Sequence, residues 1–72
     1  MSPIIDGRKM TPPEPLVKTL AALDGLGAED EVVVILNCYP TPLFSALEQN
    51  GFIWEEINKE NGDLEIHIRR AP

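Results

Sequence analysis

Seventy-two residues, 43 % of them hydrophobic and 25 % charged, describe one small globular domain over residues 1–72 and exclude a two-domain enzyme with an interdomain cleft. Six basic residues against 12 acidic ones leave a net charge of -6, which disfavours a nucleic-acid binder, because phosphate neutralisation needs clustered Lys and Arg. The single cysteine, Cys38, cannot close an internal disulfide, and neither a leader pattern nor a membrane-length apolar run is present, so the expected setting is the cytoplasm, with no membrane.

In chain order, Ile4 and Ile5 predict a short first strand. Pro12, Pro13 and Pro15 crowd the front of a helix over about residues 12–24, where a missing N–H costs little. Leu16, Leu20 and Leu23 repeat at helical spacing, Val17 and Ala21 widen the stripe, and Gly25 is the stop. The β-branched run Val32-Val33-Val34-Ile35-Leu36 predicts a central strand. Thr41 is the expected N-cap of a second helix, with Pro42 at its first position, Leu43, Phe44 and Leu47 inward, and Asn50-Gly51 at its end. Residues 52–57 then lead through Asn61-Gly62 into a strand where Leu64, Ile66 and Ile68 alternate with polar residues.

A two-residue type I′ turn at Asn61-Gly62 implies a register in which Lys59 pairs with Leu64, Ile57 with Ile66, Glu56 with His67 and Trp54 with Arg69. Ile57, Leu64, Ile66 and Ile68 then face the helices, while Trp54, Glu56, His67 and Arg69 share the uncovered face. Glu55 falls on the inner face in this register, which suggests a local bulge. The order is βαβαββ: an α/β (α+β) two-layer sandwich with both helices on one face of a four-stranded sheet.

Residues 5–18, with Asp6, Pro13, Glu14 and Pro15 in register, resemble the signature of the TusA/SirA family of small sulfur carriers, in which a strand ending in Asp leads to Cys-Pro-x-Pro at a helix start. The resemblance covers nearly the whole chain and implies a mixed four-stranded sheet. In the carriers the residue before Pro-x-Pro is the cysteine that holds the persulfide. Here that position is Pro12, so the resemblance implies no carrier chemistry there. A closer likeness is to the uncharacterised branch of the superfamily, domain of unknown function 2249, through the Pro-Pro-Glu-Pro-Leu block and through Pro40, Pro42 and Leu43. That branch has an Asp- and His-containing turn where this chain has Asn37, Cys38 and Tyr39.

Loops leaving the carboxyl ends of parallel strands meet at one edge of the sheet, which gathers Arg8, Lys9 and Thr11 near Asn37, Cys38 and Tyr39 as a candidate ligand edge. Cys38 there is either a thiol activated by the second helix and nearby cations or a small hydrophobe at a strand end. Arg8 and Lys9 either hold an anion or are simply solvated. Trp54, Glu56, His67 and Arg69 form a candidate interaction face, with a Trp54–Arg69 cation–π contact and a His67–Glu56 pair as the plainer alternatives. Glu29, Asp30 and Glu31 predict a solvated turn.

One Cys and one His cannot build a tetrahedral zinc site, neither Ser2 nor Ser45 lies in a nucleophile elbow, and no phosphate-binding glycine loop is present. No metal and no cofactor is therefore expected, and the chain points away from an enzyme. The expectation is a non-enzymatic adaptor with a protein partner, or a small-ligand module. The alternative is a sulfur-relay or thiol-redox protein using Cys38. RNA binding is the weakest reading, since only Trp54, Tyr39, Phe44 and Phe52 offer stacking surfaces against the acidic balance.

Overall fold

The computed structural model describes residues 3–11 and 14–72. Six elements follow in the order β1 (Ile4–Asp6), α1 (Glu14–Asp24), β2 (Val32–Leu36), α2 (Thr41–Gln49), β3 (Phe52–Asn58) and β4 (Leu64–Arg70). The sheet order is β1-β2-β4-β3, with β1 parallel to β2 and the other pairs antiparallel, so the mixed two-layer βαβαββ sandwich is as expected. The strand period of two divides each strand between two faces. Val32, Val34 and Leu36 of β2 and Leu64, Ile66 and Ile68 of β4 pack with Leu23, Leu26, Leu43, Phe44 and Leu47 in one core. Val33, Ile35, Glu65, His67 and Arg69 point to the face that no helix covers.

In α2 Leu43, Phe44 and Leu47 are buried as expected, whereas α1 meets the core on a different stripe from the one the spacing suggested, with Leu16, Leu20 and Ala22 partly buried against it. Leu23 is buried in α1, and so is Thr19, whose hydroxyl donates to the Pro15 carbonyl at 2.7 Å and thereby satisfies itself within the helix. Val17 is 58 % exposed and Ala21 is exposed too, so neither widens the stripe. The predicted helix start at Pro12 and Pro13 lies outside the described residues. In α2 the N-cap is Pro40 rather than Thr41, with no side-chain cap hydrogen bond, and Pro42 falls within the first turn.

The hairpin differs most. Lys59 N–H donates to the Asp63 carbonyl at 2.9 Å and Gly62 N–H to the Lys59 carbonyl at 3.1 Å, which makes a three-residue loop of Glu60, Asn61 and Gly62. Only Gly62 has positive φ (90°), whereas a type I′ turn needs positive φ at Asn61 as well. The φ of Asn61 is not positive, and its side chain instead accepts from Asp63 N–H at 3.1 Å. One extra loop residue shifts β3 by one position and turns every side chain over. Trp54 pairs with Ile68, Glu55 with His67, Glu56 with Ile66 and Ile57 with Glu65. Trp54 therefore lies on the helix side, Ile57 moves to the open face, and Glu55 needs no bulge.

Candidate functional site

The β1–α1 and β2–α2 loops meet at the carboxyl ends of the two parallel strands. Gly7 N–H donates to the Ile35 carbonyl at 2.8 Å, and the Asn37 side-chain amide donates to the Arg8 carbonyl at 3.2 Å, so the loops are tied directly to each other. Gly7 is buried here because a Cβ would come within 2.6 Å of Leu36 Cδ2 and 3.4 Å of Pro15 Cβ. Beside this junction lies a concavity of about 200 Å³, walled by Pro15 and Leu16 of α1, Leu36 of β2, and Cys38, Pro40, Pro42 and Leu43 around the start of α2. Its lining is almost wholly aliphatic, because the prolines that open the second helix and Leu16 of the first converge on it. Cys38 is exposed on its wall as a free thiol.

The polar groups expected at this edge are placed differently. Arg8 closes on Asp6 through two bonds, Nε to Oδ1 at 2.9 Å and Nη2 to Oδ2 at 2.7 Å, and its Nη1 reaches Asp63 Oδ2 at 3.0 Å. The Arg8 guanidinium holds the Asp6 carboxyl down at about 2, and the two carboxylates hold Arg8 more firmly protonated. Arg8 is thus a clasp between the first loop and the hairpin rather than a free anion ligand. Lys9, Thr11 and Tyr39 are exposed around the junction. Tyr39 also stands edge-on to Phe44, with ring centroids 4.9 Å apart.

The expected interaction face divides in two. Trp54 stacks on Phe44 with centroids 5.1 Å and planes 5° apart, extending the aromatic series Tyr39, Phe44, Trp54 across the helix side. Its indole donates to Glu56 at 3.4 Å. The cation–π contact is made by Arg70 over Phe52 at 5.4 Å, not by Arg69 over Trp54, as the shifted register requires.

His67 and Arg69 do lie on the open face. His67 Nδ1 is 2.8 Å from Glu31 and Nε2 is 2.7 Å from Glu65, which also meets Lys59 at 3.2 Å; the partner is not Glu56. A ring with a carboxylate on each nitrogen is complementary to imidazolium, which alone can donate twice. Glu65 foremost, then Glu31, pushes the His67 pKa up against an opposing partial burial, and His67 and Lys59 push Glu65 down. Glu31 therefore belongs to a side-chain network rather than to a solvated turn. Glu31 and Asp63 were invisible as partners in the sequence because their contacts join segments 36 and 55 residues apart.

Among the described residues no group of three or more His, Cys, Asp and Glu side chains could hold a metal ion, and no helix is long and apolar enough to cross a membrane.

Comparison with known proteins matches residues 4–70 to the family described as "Uncharacterized conserved protein (DUF2249)". Among solved structures, a SirA-like protein from Desulfitobacterium hafniense superimposes with a TM-score of 0.85 at 28 % identity, covering 100 % of both chains. No curated protein matches.

Proposed function

We propose that this chain, which belongs to the DUF2249 family, is a non-enzymatic binding module whose loop edge receives an aliphatic group, such as a Leu or Ile side chain of a protein partner. The observation that carries this reading is the preformed aliphatic concavity of about 200 Å³ between the starts of the two helices. Small preformed apolar pockets bind by excluding water from both surfaces, and the few polar groups at their rim set orientation. Here the rim offers the Cys38 thiol, while Arg8 is engaged with carboxylates and so contributes no ionic ligand.

The test is a 15N NMR titration of the full chain with short-chain alcohols and then with Leu-containing peptides as probes. The expected result is saturable shifts at Leu16, Leu36, Cys38 and Leu43 that vanish in Leu16→Glu, with the amide spectrum of that variant otherwise preserved. Shifts spread evenly over the surface, or unaffected by Leu16→Glu, would refute the pocket.

A second reading uses the same place. Cys38 is exposed on the pocket wall, so a sulfur relay would proceed by attack of its thiolate on the terminal sulfur of a donor persulfide, forming an S–S bond at Cys38 and releasing the donor thiolate. Incubation with a small-molecule persulfide followed by mass spectrometry distinguishes the two: one added sulfur atom on Cys38, absent in Cys38→Ser, supports the relay, and an unmodified chain removes it.

A further inference from the structure

The uncovered sheet face carries more apolar surface than a solvated sheet needs. Ile4, Ile53 and Ile57 are 66 %, 38 % and 36 % exposed on it, beside half-buried Ile35, while Val33 is covered by its neighbours. Its charges fall into two kinds. Glu31, Glu65, His67 and Lys59 bond to one another, and Asp6 is held by Arg8. Glu55 and Arg69 make no ion pair or side-chain hydrogen bond among the described residues, and they are one acid and one base. They lie on adjacent strands, since Glu55 is opposite His67 and Ile53 is opposite Arg69, so the pair occupies a diagonal of the β3–β4 ladder.

We infer that this face associates with the same face of a second copy of the chain, each Glu55 meeting the other copy's Arg69. Two-fold symmetry makes this possible. An axis lying in the interface and perpendicularly bisecting the Glu55–Arg69 diagonal sets each carboxylate over the opposite guanidinium, so one operation forms two ion pairs and leaves neither charge unpaired, with the exposed isoleucines of β3 brought inside the contact.

The area sets the strength. Strands of three, five, seven and seven residues, about 4.8 Å apart, present a plan of roughly 350 Å², below the ~800 Å² per partner of a standard stable interface, so the dimer is weak and dissociates on dilution. This surface is distinct from the loop-edge pocket, and failure of either reading leaves the other standing.

The full chain at about 0.15 M salt, which screens the repulsion between two copies of net charge -6, followed by sedimentation equilibrium up to about 1 mM, the range in which weak complexes populate, should show a reversible monomer–dimer equilibrium. Glu55→Arg alone and Arg69→Glu alone should each weaken self-association at least tenfold, because one sets Arg against Arg twice and the other Glu against Glu twice. An equimolar mixture of these two variants should associate again, since every cross-contact is then Arg with Glu. A wild-type chain that stays monomeric over the whole range overturns the inference. So does a dimer indifferent to the single substitutions, or a mixture that remains monomeric.

Discussion

Replacing Trp54 and Ile57 separately by alanine tests the hairpin register, because the two possible registers rank these side chains in opposite order. Complete burial makes truncation of a large aromatic cost about 3–5 kcal/mol, and Trp54 is only partly buried, which brings the packing loss to about 2 kcal/mol. Loss of the parallel stack on Phe44 adds about 0.5–1 kcal/mol, for a sum of about 2.5–3 kcal/mol. Ile57 sits on the uncovered face at 36 % exposure, so its truncation costs about 1 kcal/mol or less. With a shift of about 4–8 °C per kcal/mol in a domain this size, Trp54→Ala should melt roughly 10–20 °C lower and Ile57→Ala only a few degrees lower. Urea and thermal unfolding followed by far-UV circular dichroism measure both without relying on the indole. If Ile57→Ala proves the more destabilising of the two, the three-residue loop and the register built on it are wrong.

Three further outcomes are expected. The His67 network should make stability depend on pH: its folded pKa lies above the ordinary value of about 6.5, so its contribution is complete below that value and lost as pH rises through the folded pKa. Urea midpoints of the wild type should fall over that interval relative to those of His67→Asn, and parallel curves would contradict the network. Gly7→Ala should cost about 1–3 kcal/mol in chemical unfolding, because the new methyl meets buried Leu36 at 2.6 Å; an unchanged midpoint would show that the loop junction has slack. Gly62→Ala should cost about 1 kcal/mol although nothing lies within 4 Å of the added carbon, since only the left-handed φ of 90° is strained; a neutral result would mean that the loop relaxes to another turn.

Element types and their order could be read from periodicity and proline placement, because those signals are local. The β-branched Val32–Leu36 run had the pattern of a buried strand, and Pro40 and Pro42 marked the start of the second helix. The meeting of the two loops at one edge followed from βαβ connectivity alone, and the Asn37–Arg8 bond realises it. The register of the hairpin was not local. Asn61-Gly62 is compatible with a two-residue or a three-residue loop, and the choice reversed the faces of Trp54, Glu55, Glu56 and Ile57. Arg8 looked like a free cation only because its second carboxylate, Asp63, is 55 residues away. The aliphatic concavity was likewise hidden, since its walls come from three elements whose approach is set by packing.

The three-residue β1 contributes little to the core, with only Ile5 packed against it. Its place in the sheet gives it another consequence. It hydrogen-bonds along the free side of β2, the most apolar strand of the chain, and the Pro3 carbonyl and Gly7 N–H extend that cover at either end. Without this cover the Val32–Leu36 backbone would be an open row of donors and acceptors beside five consecutive aliphatic side chains, the composition from which cross-β stacking grows. Because Arg8 follows immediately and is clasped to Asp63, detaching β1 would also require breaking that clasp to the hairpin. The first loop thereby acts as a safeguard on solubility, and disruption of the Arg8 clasp is expected to appear first as concentration-dependent aggregation and only later as loss of folded structure.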